Sequence, residues 1–198
     1  MSRRGFSLIE MVVVLVLLGV VAGFAIPRAL KKSPRSQVDT AARALARDLE
    51  LVRMRAIAAK RIVRMTFVQA ENGYTAFLDV SEDRSGVITG SREEVTASRL
   101  LSRGKVNGVP GVELPNGVVF GAGAATSGPE GLPADGAVTL EGDRVEFDAG
   151  GMVRPAGTGG AIYLVHEGDP KVVAAVTVSG AGAFRAWQYV EGEWVDAK

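Results

Sequence analysis

Residues 1–30, MSRRGFSLIEMVVVLVLLGVVAGFAIPRAL, join a basic tip to a long apolar run. Between Phe6 and Ile26 the only charged side chain is that of Glu10. A helix rises about 1.5 Å per residue, so a helix over this run reaches roughly 30 Å, the thickness of the hydrocarbon layer of a bilayer. The sequence therefore predicts a transmembrane helix over residues 6–26.

A secretory signal peptide is the competing interpretation, because it too begins with basic residues such as Arg3 and Arg4 and continues with an apolar stretch. The run is longer than the usual apolar region of about 7–15 residues, and residues 24–28 offer only a weak cleavage site. A carboxylate in the middle of a bilayer costs about 3 kcal/mol, and less near its edge. Glu10 therefore requires a partner, which makes it a candidate functional residue.

The segment Arg4-Gly5-Phe6-Ser7-Leu8-Ile9-Glu10 resembles the class III leader of type IV pilins and type II secretion pseudopilins. The resemblance implies that residues 1–5 are a leader peptide, that a prepilin peptidase cuts between Gly5 and Phe6, and that Phe6 is then N-methylated. It also implies that Glu10 pairs with the N-terminal amine of a neighbouring subunit during assembly. Pro27 is then expected to kink the helix.

The positive charges that flank the apolar run favour a different topology. Before the run lie Arg3 and Arg4, and behind it lie Arg28, Lys31, Lys32 and Arg35. Since cytoplasmic segments carry the excess of Lys and Arg, this count would place the large domain in the cytoplasm. The leader resemblance implies the opposite: a single-pass inner-membrane protein whose C-terminal domain is periplasmic and is incorporated into a pseudopilus or pilus.

Composition limits the possible functions of the remaining chain. Of 198 residues none is cysteine, which excludes a disulfide framework, thiolate catalysis and cysteine-ligated metals. The net charge of +1 gives no general attraction to nucleic acid or anionic lipid. Many major type IV pilins close their C-terminal region with a disulfide, so the lack of cysteine favours the pseudopilin or minor-pilin branch of the family.

A second helical pattern follows the apolar run. Apolar residues recur at spacings of three and four, which marks one stripe of an amphipathic helix: Val38, Ala41, Leu45, Leu49, Val52 and Ala56. Ser36 and Asp39 have the spacing of a capping box, so the helix either restarts after Pro34 or continues the first helix through kinks at Pro27 and Pro34. We therefore assign residues 27–61 to an amphipathic continuation of the N-terminal helix.

From residue 62 onward the period changes to that of strands, with Asn72-Gly73 as a hairpin signal. The predicted strands are 62–69, 74–80, 92–96, 99–101, 112–114, 118–120, 138–140, 144–147, 152–153, 161–166, 171–179, 185–190 and 193–195. Segments 45–57, 145–153 and 176–182 resemble the GspH/FimT domain of minor pseudopilins and minor pilins. The predicted fold class is α+β: a long N-terminal transmembrane helix, then a pilin-like antiparallel domain of two packed sheets over residues 62–198.

Catalytic and metal-binding motifs are lacking. His166 is the only histidine, and no serine lies in a nucleophile motif that could complete a triad. Asp79, Glu82 and Asp83 could hold calcium, but a solvated turn is favoured because the repeated acidic pattern of a calcium loop is missing. Residues 121–136 form a glycine-rich loop for which partner contact and disorder are equal alternatives.

Some FimT-like minor pilins bind DNA, which requires a surplus of cations on one surface. The candidate cluster comprises Arg53, Arg55, Lys60, Arg61 and Arg64. Asp48 and Glu50 lie among these residues, and the C-terminal residues 191–196 are acidic. Nucleic-acid binding is therefore not expected.

These observations predict a non-enzymatic minor pseudopilin of a type II secretion system that assembles into the periplasmic pseudopilus, at or near its tip. The expected partners are other pseudopilins or minor pilins, the prepilin peptidase, the inner-membrane assembly platform and the membrane itself. No cofactor or metal is expected. The alternatives are a minor type IV pilin for pilus assembly, twitching motility or DNA uptake, and a membrane-anchored periplasmic hydrolase, for which the catalytic residues are missing.

Overall fold

The computed structural model describes residues 8–29, 33–98 and 100–197, and the side chains of 22–29 are not described. Three helices lie in these ranges: α1 (Leu8–Ala29), α2 (Pro34–Ala59) and α3 (Arg92–Ser98). Ser33 belongs to no helix, and α2 begins at Pro34, where the fixed backbone angle of proline suits the first turn of a helix. Of the two sequence interpretations, a restart at Pro34 describes this boundary.

The strands form two antiparallel sheets. They are β1 (Val63–Val68), β2 (Gly73–Leu78), β3 (Gly104–Val106), β4 (Val109–Glu113), β5 (Val118–Phe120), β6 (Arg144–Phe147), β7 (Val153–Arg154), β8 (Gly160–His166), β9 (Asp169–Val178), β10 (Phe184–Val190) and β11 (Glu193–Asp196). The six-stranded sheet has the order β3-β4-β2-β1-β6-β7, and the five-stranded sheet has the order β11-β10-β9-β8-β5.

One hydrophobic core unites α2 with the inner faces of both sheets. The buried stripe of α2, from Val38 to Ala56, packs in the same cluster as residues 63–67 of β1, residues 162–164 of β8 and residues 174–178 of β9. Burial alternates along β1, which gives this strand one face toward the core and one away from it. The predicted fold class, a helix followed by two antiparallel sheets, is confirmed.

The chain divides into two compact units, residues 1–33 and 34–198. Thus α2 belongs to the unit that contains the sheets. Within the described residues, no helix combines the length and the apolar character needed to cross a membrane. The span predicted over 6–26 includes Phe6 and Ser7, which lie outside the described residues.

The strand predicted over residues 92–96 is wrong, because this segment forms helix α3. A capping box starts the helix: the hydroxyl of Ser91 accepts a hydrogen bond from the Glu94 backbone N–H at 3.3 Å, and the Glu94 carboxylate accepts from the Ser91 N–H at 2.7 Å. Burial alone would raise the pKa of Glu94, but hydrogen bonds from the Thr89, Ser91 and Gly90 N–H groups outweigh it and lower that pKa.

Two other predicted strands are also wrong. In the segment 138–140 only Val138 forms an isolated bridge, with Ile162 of β8, and β5 pairs with the same strand at residues 164–166. In the segment 99–101, Leu101 has a positive φ of 45° that no strand adopts, and residue 99 lies outside the described residues.

The predicted hairpin at Asn72-Gly73 joins β1 to β2, but its turn differs from the expected one. Asn72 and Gly73 do not form a two-residue turn, because the register pairs Val68 with Gly73 and leaves a four-residue connection over 69–72. A two-residue hairpin does lie at Asn107-Gly108, between β3 and β4, where both residues have positive φ. The Asn72 side chain accepts a hydrogen bond from the Phe120 N–H at 3.2 Å, so it ties the six-stranded sheet to the edge strand β5.

Candidate functional site

The predicted processing and assembly residues belong to the N-terminal unit. Gly5 and Phe6 lie outside the described residues. Glu10 is the third residue of α1 and is exposed, and none of the described ion pairs or hydrogen bonds involves it. Pro27 lies in the last turn of the same helix, about 25 Å further along the axis. The structure therefore places Glu10 and Pro27 at opposite ends of one helix.

Helix α1 presents apolar side chains on every side. All residues from 8 to 21 are exposed, including the large side chains Leu8, Ile9, Leu15 and Val21. A helix that is apolar all round is normally found in a protein interior or a membrane. The exposed surface of α1 therefore needs an apolar environment outside its own chain.

Asp48, Tyr74 and Arg103 form a hydrogen-bonded cluster that the sequence analysis did not predict. Asp48 is only 2% exposed, and its carboxylate accepts a hydrogen bond from the Tyr74 hydroxyl at 2.6 Å. The Arg103 guanidinium donates to the same carboxylate oxygen and remains largely exposed. This Asp48 cluster joins α2 to β2 and to the segment before β3.

Electrostatics in the Asp48 cluster raise the pKa values of Tyr74 and Arg103. Burial and the neighbouring Asp48 carboxylate raise the pKa of Tyr74 well above its usual range. Burial would lower the pKa of Arg103, but its hydrogen bond and attraction to Asp48 raise it. A sequence signal for this cluster exists, since Asp48 lies three residues after Leu45 and four before Val52, in register with the apolar stripe of α2.

The glycine-rich loop 121–136 covers the outer face of the five-stranded sheet. The Tyr163 hydroxyl donates a hydrogen bond to the Pro133 carbonyl, and the Trp194 indole N–H donates to the Ser127 carbonyl, both at 2.7 Å. Leu132 and other small apolar residues of the loop pack against Tyr163. The sequence left partner contact and disorder as equal alternatives for this loop. In the structure the loop packs against a sheet of its own domain.

Close contact explains why this loop needs glycine at one position. A Cβ atom on Gly128 would lie 2.0 Å from the Tyr163 hydroxyl and 2.7 Å from the Leu132 carbonyl. Burial, with a smaller contribution from the charge of Asp135, raises the pKa of Tyr163 to about 12. The Tyr163 hydroxyl therefore stays protonated and continues to donate to the loop. Partner contact through the outer side of the loop stays a prediction.

The acidic turn considered for calcium is organised by hydrogen bonds within the protein. Asp79 is fully buried, and its two oxygens accept from the Ser81 N–H and the Gly86 N–H, each at 2.9 Å. Burial would raise the pKa of Asp79, but these bonds outweigh it and lower the pKa. Among the described residues, no three histidine, cysteine, aspartate or glutamate side chains are grouped so that they could hold a metal ion.

Four arginines of the predicted basic cluster are engaged by acceptors in four different parts of the fold. Arg53 donates to the Gly151 carbonyl at 3.1 Å, Arg55 to the Ala97 carbonyl at 3.0 Å, Arg61 to the Ser81 carbonyl at 2.6 Å and Arg64 to the Glu146 carboxylate at 2.7 Å. Lys60 follows α2 and is exposed, with a φ of 54°. These cations act mainly as internal donors that fasten loops and strands.

His166 lies at the end of β8 and is half-buried. Its Nδ1 atom accepts a hydrogen bond from the Gly168 N–H at 3.1 Å, within the turn that leads to β9. The contact fixes a turn, which is a structural role.

Two parts of the chain match known families. Residues 1–26 match the prokaryotic N-terminal methylation motif, which covers the predicted leader, Glu10 and almost all of the apolar run. Residues 41–182 match the family described as type II transport protein GspH, and this match covers most of α2 and the strands up to β9. The two matches follow each other in the order that the sequence resemblance implied.

Individual proteins show more distant similarity. The pilin-like protein PilA1 of Thermus thermophilus is 38% identical over 85 residues, which are 42% of this chain and 53% of PilA1, so the match spans about half of that relative. The type IV minor pilin FimU of Pseudomonas aeruginosa superimposes with a TM-score of 0.48 at 14% identity, over 81% of this chain and 94% of FimU. The minor pseudopilin EpsH from the type 2 secretion system of Vibrio cholerae superimposes with a TM-score of 0.45 at 14% identity, over 79% and 99%.

Proposed function

The chain belongs to the GspH family of type II transport proteins, and we propose that it is a minor pseudopilin that joins the periplasmic pseudopilus of a type II secretion system, at or near its tip. One observation carries the proposal: a methylation motif over residues 1–26 precedes a GspH domain over residues 41–182 in one chain. The family is one of structural pilin-like subunits, and members of this class assemble with other pilins.

The proposed maturation follows from the leader sequence. A prepilin peptidase cuts between Gly5 and Phe6, and the new amine of Phe6 is methylated. Helix α1 then packs among the helices of neighbouring subunits, which gives its exposed apolar side chains the environment that the chain itself does not supply. Pro27 adjusts the direction of this helix near its end.

Glu10 is the proposed assembly contact. An ionised carboxylate in an apolar helix is costly unless a cation neutralises it, and none of the described side chains pairs with Glu10. The N-terminal amine of a neighbouring subunit supplies that cation. The chain is held in the inner membrane before assembly, with its domain in the periplasm, and the assembly platform adds it to the filament.

The experiment compares Glu10→Gln with the parent chain and with a neighbouring control, Met11→Leu, in cells that assemble the pseudopilus. Glu10→Gln should leave membrane insertion intact and strongly reduce recovery in sheared filaments, while Met11→Leu should behave as the parent chain. Gly5→Ala should block processing. Mass spectrometry of the mature chain should find methylated Phe6 as its first residue. A mature chain that starts at Met1, or beyond Pro27, would refute the proposal.

A minor type IV pilin is the second candidate, and the sequence similarity to a pilin-like protein supports it. Deletion of the gene distinguishes the two candidate functions. Loss of protein secretion with normal twitching motility supports the pseudopilin, whereas loss of twitching motility with normal secretion supports the pilin. A salt-dependent shift of DNA by the protein would also favour a pilus that takes up DNA.

A further inference from the structure

A ladder of charged side chains crosses the outer face of the six-stranded sheet. Arg64 on β1, Glu146 on β6 and Arg154 on β7 lie side by side, because the register pairs Arg64 with Glu146 and Glu146 with Arg154. Arg144 lies two residues before Glu146 and faces the same way, opposite Thr66. The ladder therefore holds three arginines and one glutamate, which is an excess of positive charge among these four residues.

The single carboxylate of the ladder is already occupied. Glu146 Oε1 lies 2.7 Å from both Arg64 Nε and Arg64 Nη2, and Arg64 Nη1 donates to the Ile88 carbonyl at 2.9 Å. Arg144 Nε is 3.8 Å from the same oxygen, which is beyond hydrogen-bond distance. About half of the Arg144 side chain is exposed, and within the described residues no acceptor bonds to it. Its donors are thus available to a ligand.

Arg144 borders a hollow of about 320 Å³ on this face, which we call the Arg144 hollow. Its charged lining residues are Arg64 and Arg144, and no described carboxylate lines it. Thr66, directly across from Arg144, and Asn107 add a hydroxyl and an amide, neither of which has a side-chain hydrogen bond among the described residues. Phe77 is one of the apolar lining residues.

These groups match a carboxylate that lies beside an apolar residue. A guanidinium binds a carboxylate through two parallel hydrogen bonds, and a neighbouring hydroxyl can donate a third. Nucleic acid fits less well, because it needs several uncommitted cations and only Arg144 is uncommitted among the arginines that line the hollow.

We propose that the Arg144 hollow binds an acidic peptide segment of a partner protein, whose carboxylate accepts hydrogen bonds from the Arg144 guanidinium and the Thr66 hydroxyl. The sheet holds both donors on adjacent strands, so they are positioned before the ligand arrives. This interaction is separate from the assembly contact of Glu10, and its test does not depend on filament formation.

The test measures peptide binding to the full-length chain in a non-ionic detergent, by fluorescence anisotropy at physiological salt. The probe is a fluorescein-labelled peptide of alternating Glu and Val, and the matched probe has Gln in place of Glu. The Glu peptide should bind at least about tenfold more tightly, as expected for a hydrogen-bonded charge pair. Arg144→Gln should weaken binding of the Glu peptide about tenfold, to the level of the Gln peptide.

Arg154→Gln is the matched control, because Arg154 is also exposed on this face but borders only a neighbouring hollow. It should leave binding of the Glu peptide unchanged. Thr66→Val, which keeps the shape of the side chain, should weaken binding only a few-fold. Since Arg144 is half exposed, Arg144→Gln should keep the thermal transition of the parent chain, and Arg144→Lys should recover part of the affinity.

Several results would overturn the proposal. One is equal binding of the Glu and Gln peptides, or binding of neither. Another is an equal loss in Arg154→Gln, which would mean that the positive charge of the whole face attracts the probe. A labelled single-stranded oligonucleotide that binds through Arg144 more tightly than the Glu peptide would identify a nucleic-acid surface instead.

Discussion

Helices α1 and α2 follow each other in the sequence and bury their side chains in opposite ways. In α1 every described side chain from 8 to 21 is exposed, although Glu10 is the only charged residue among them. In α2, charged residues are frequent, yet eight of its residues are buried. The difference shows that the arrangement of apolar residues decides which helix packs within the chain.

The physical reason lies in the shape of the partner surface. The apolar residues of α2 form one stripe, which the inner faces of two sheets can cover completely. The apolar residues of α1 surround the helix, and a stripe-shaped contact would leave most of them in water.

The largest expected difference between the helices is in core packing. Leu45 on α2 has no exposed surface, so Leu45→Ala should lower the free energy of unfolding by about 3 kcal/mol. Leu15→Ala on the exposed α1 should change it by less than about 0.5 kcal/mol. Urea unfolding of the full-length chain in non-ionic detergent, followed by tryptophan fluorescence, measures both. Equal losses would contradict the contrast between the helices.

A smaller effect is expected from the buried carboxylate of α2. Asp48→Ala removes the acceptor for both Tyr74 and Arg103, so it should lower the free energy of unfolding by about 2 kcal/mol. Glu50→Ala is the matched control, because Glu50 lies on the same helix and its ion pair with Arg53 is partly exposed. It should cost less than about 1 kcal/mol. A loss in Asp48→Ala as small as that of Glu50→Ala would show that the cluster stabilises little.

The sequence predicts the elements whose patterns are long and regular. The stripe of α2 and the alternation in β1 decide which face is buried, because one face of each must reach a core. These patterns, with the leader-like segment, gave the α+β class and the family resemblance. They do not reveal tertiary partners, so the pairing of Asp48 with Arg103, 55 positions apart, was missed.

Local signals failed where two elements compete for the same residues. Asn-Gly occurs at 72–73, 107–108 and 116–117, and only the second forms a two-residue hairpin. Asn72 ends a four-residue connection, and Asn116-Gly117 joins strands of different sheets. The segment 92–96 was assigned to a strand, although Ser91 and Glu94 carry the spacing of a capping box. Loop 121–136 lacks any period, and its position depends on tertiary contacts, among them the hydrogen bonds from Tyr163 and Trp194 of the sheet beneath it.

Alkaline pH should destabilise the folded chain through Tyr74 of β2, whose hydroxyl donates a hydrogen bond to Asp48 of α2. In the unfolded chain tyrosine ionises with a pKa of about 10, and in the folded chain the pKa of Tyr74 is raised. Because the pKa is higher in the folded chain, the contribution of protonated Tyr74 to the free energy of unfolding is complete below pH 10. It falls by about 1.4 kcal/mol per pH unit as the pH rises above 10.

Tyr74→Phe cannot ionise, so its free energy of unfolding should fall less steeply above pH 10 than that of the parent chain. Urea unfolding at intervals from pH 8 to pH 11 measures the difference in slope. Asp48→Ala should keep a slope close to that of the parent chain over this range, because burial, the largest cause of the raised pKa of Tyr74, is still present. Identical slopes for the parent chain and Tyr74→Phe would contradict the raised pKa.

The smallest expected effect comes from an ion pair on the surface of α2. Asp39 and Arg43 are four residues apart with the acid first, and Arg43 Nε lies 3.1 Å from Asp39 Oδ2. This orientation agrees with the helix dipole, and such pairs contribute about 0.3–0.5 kcal/mol. A double-mutant cycle with Asp39→Asn and Arg43→Gln should therefore give a coupling energy of that size. Because both side chains are partly exposed, 1 M salt should remove most of the coupling. A coupling above about 1 kcal/mol that resists salt would contradict the description of this contact as a solvent-screened pair on the surface of α2.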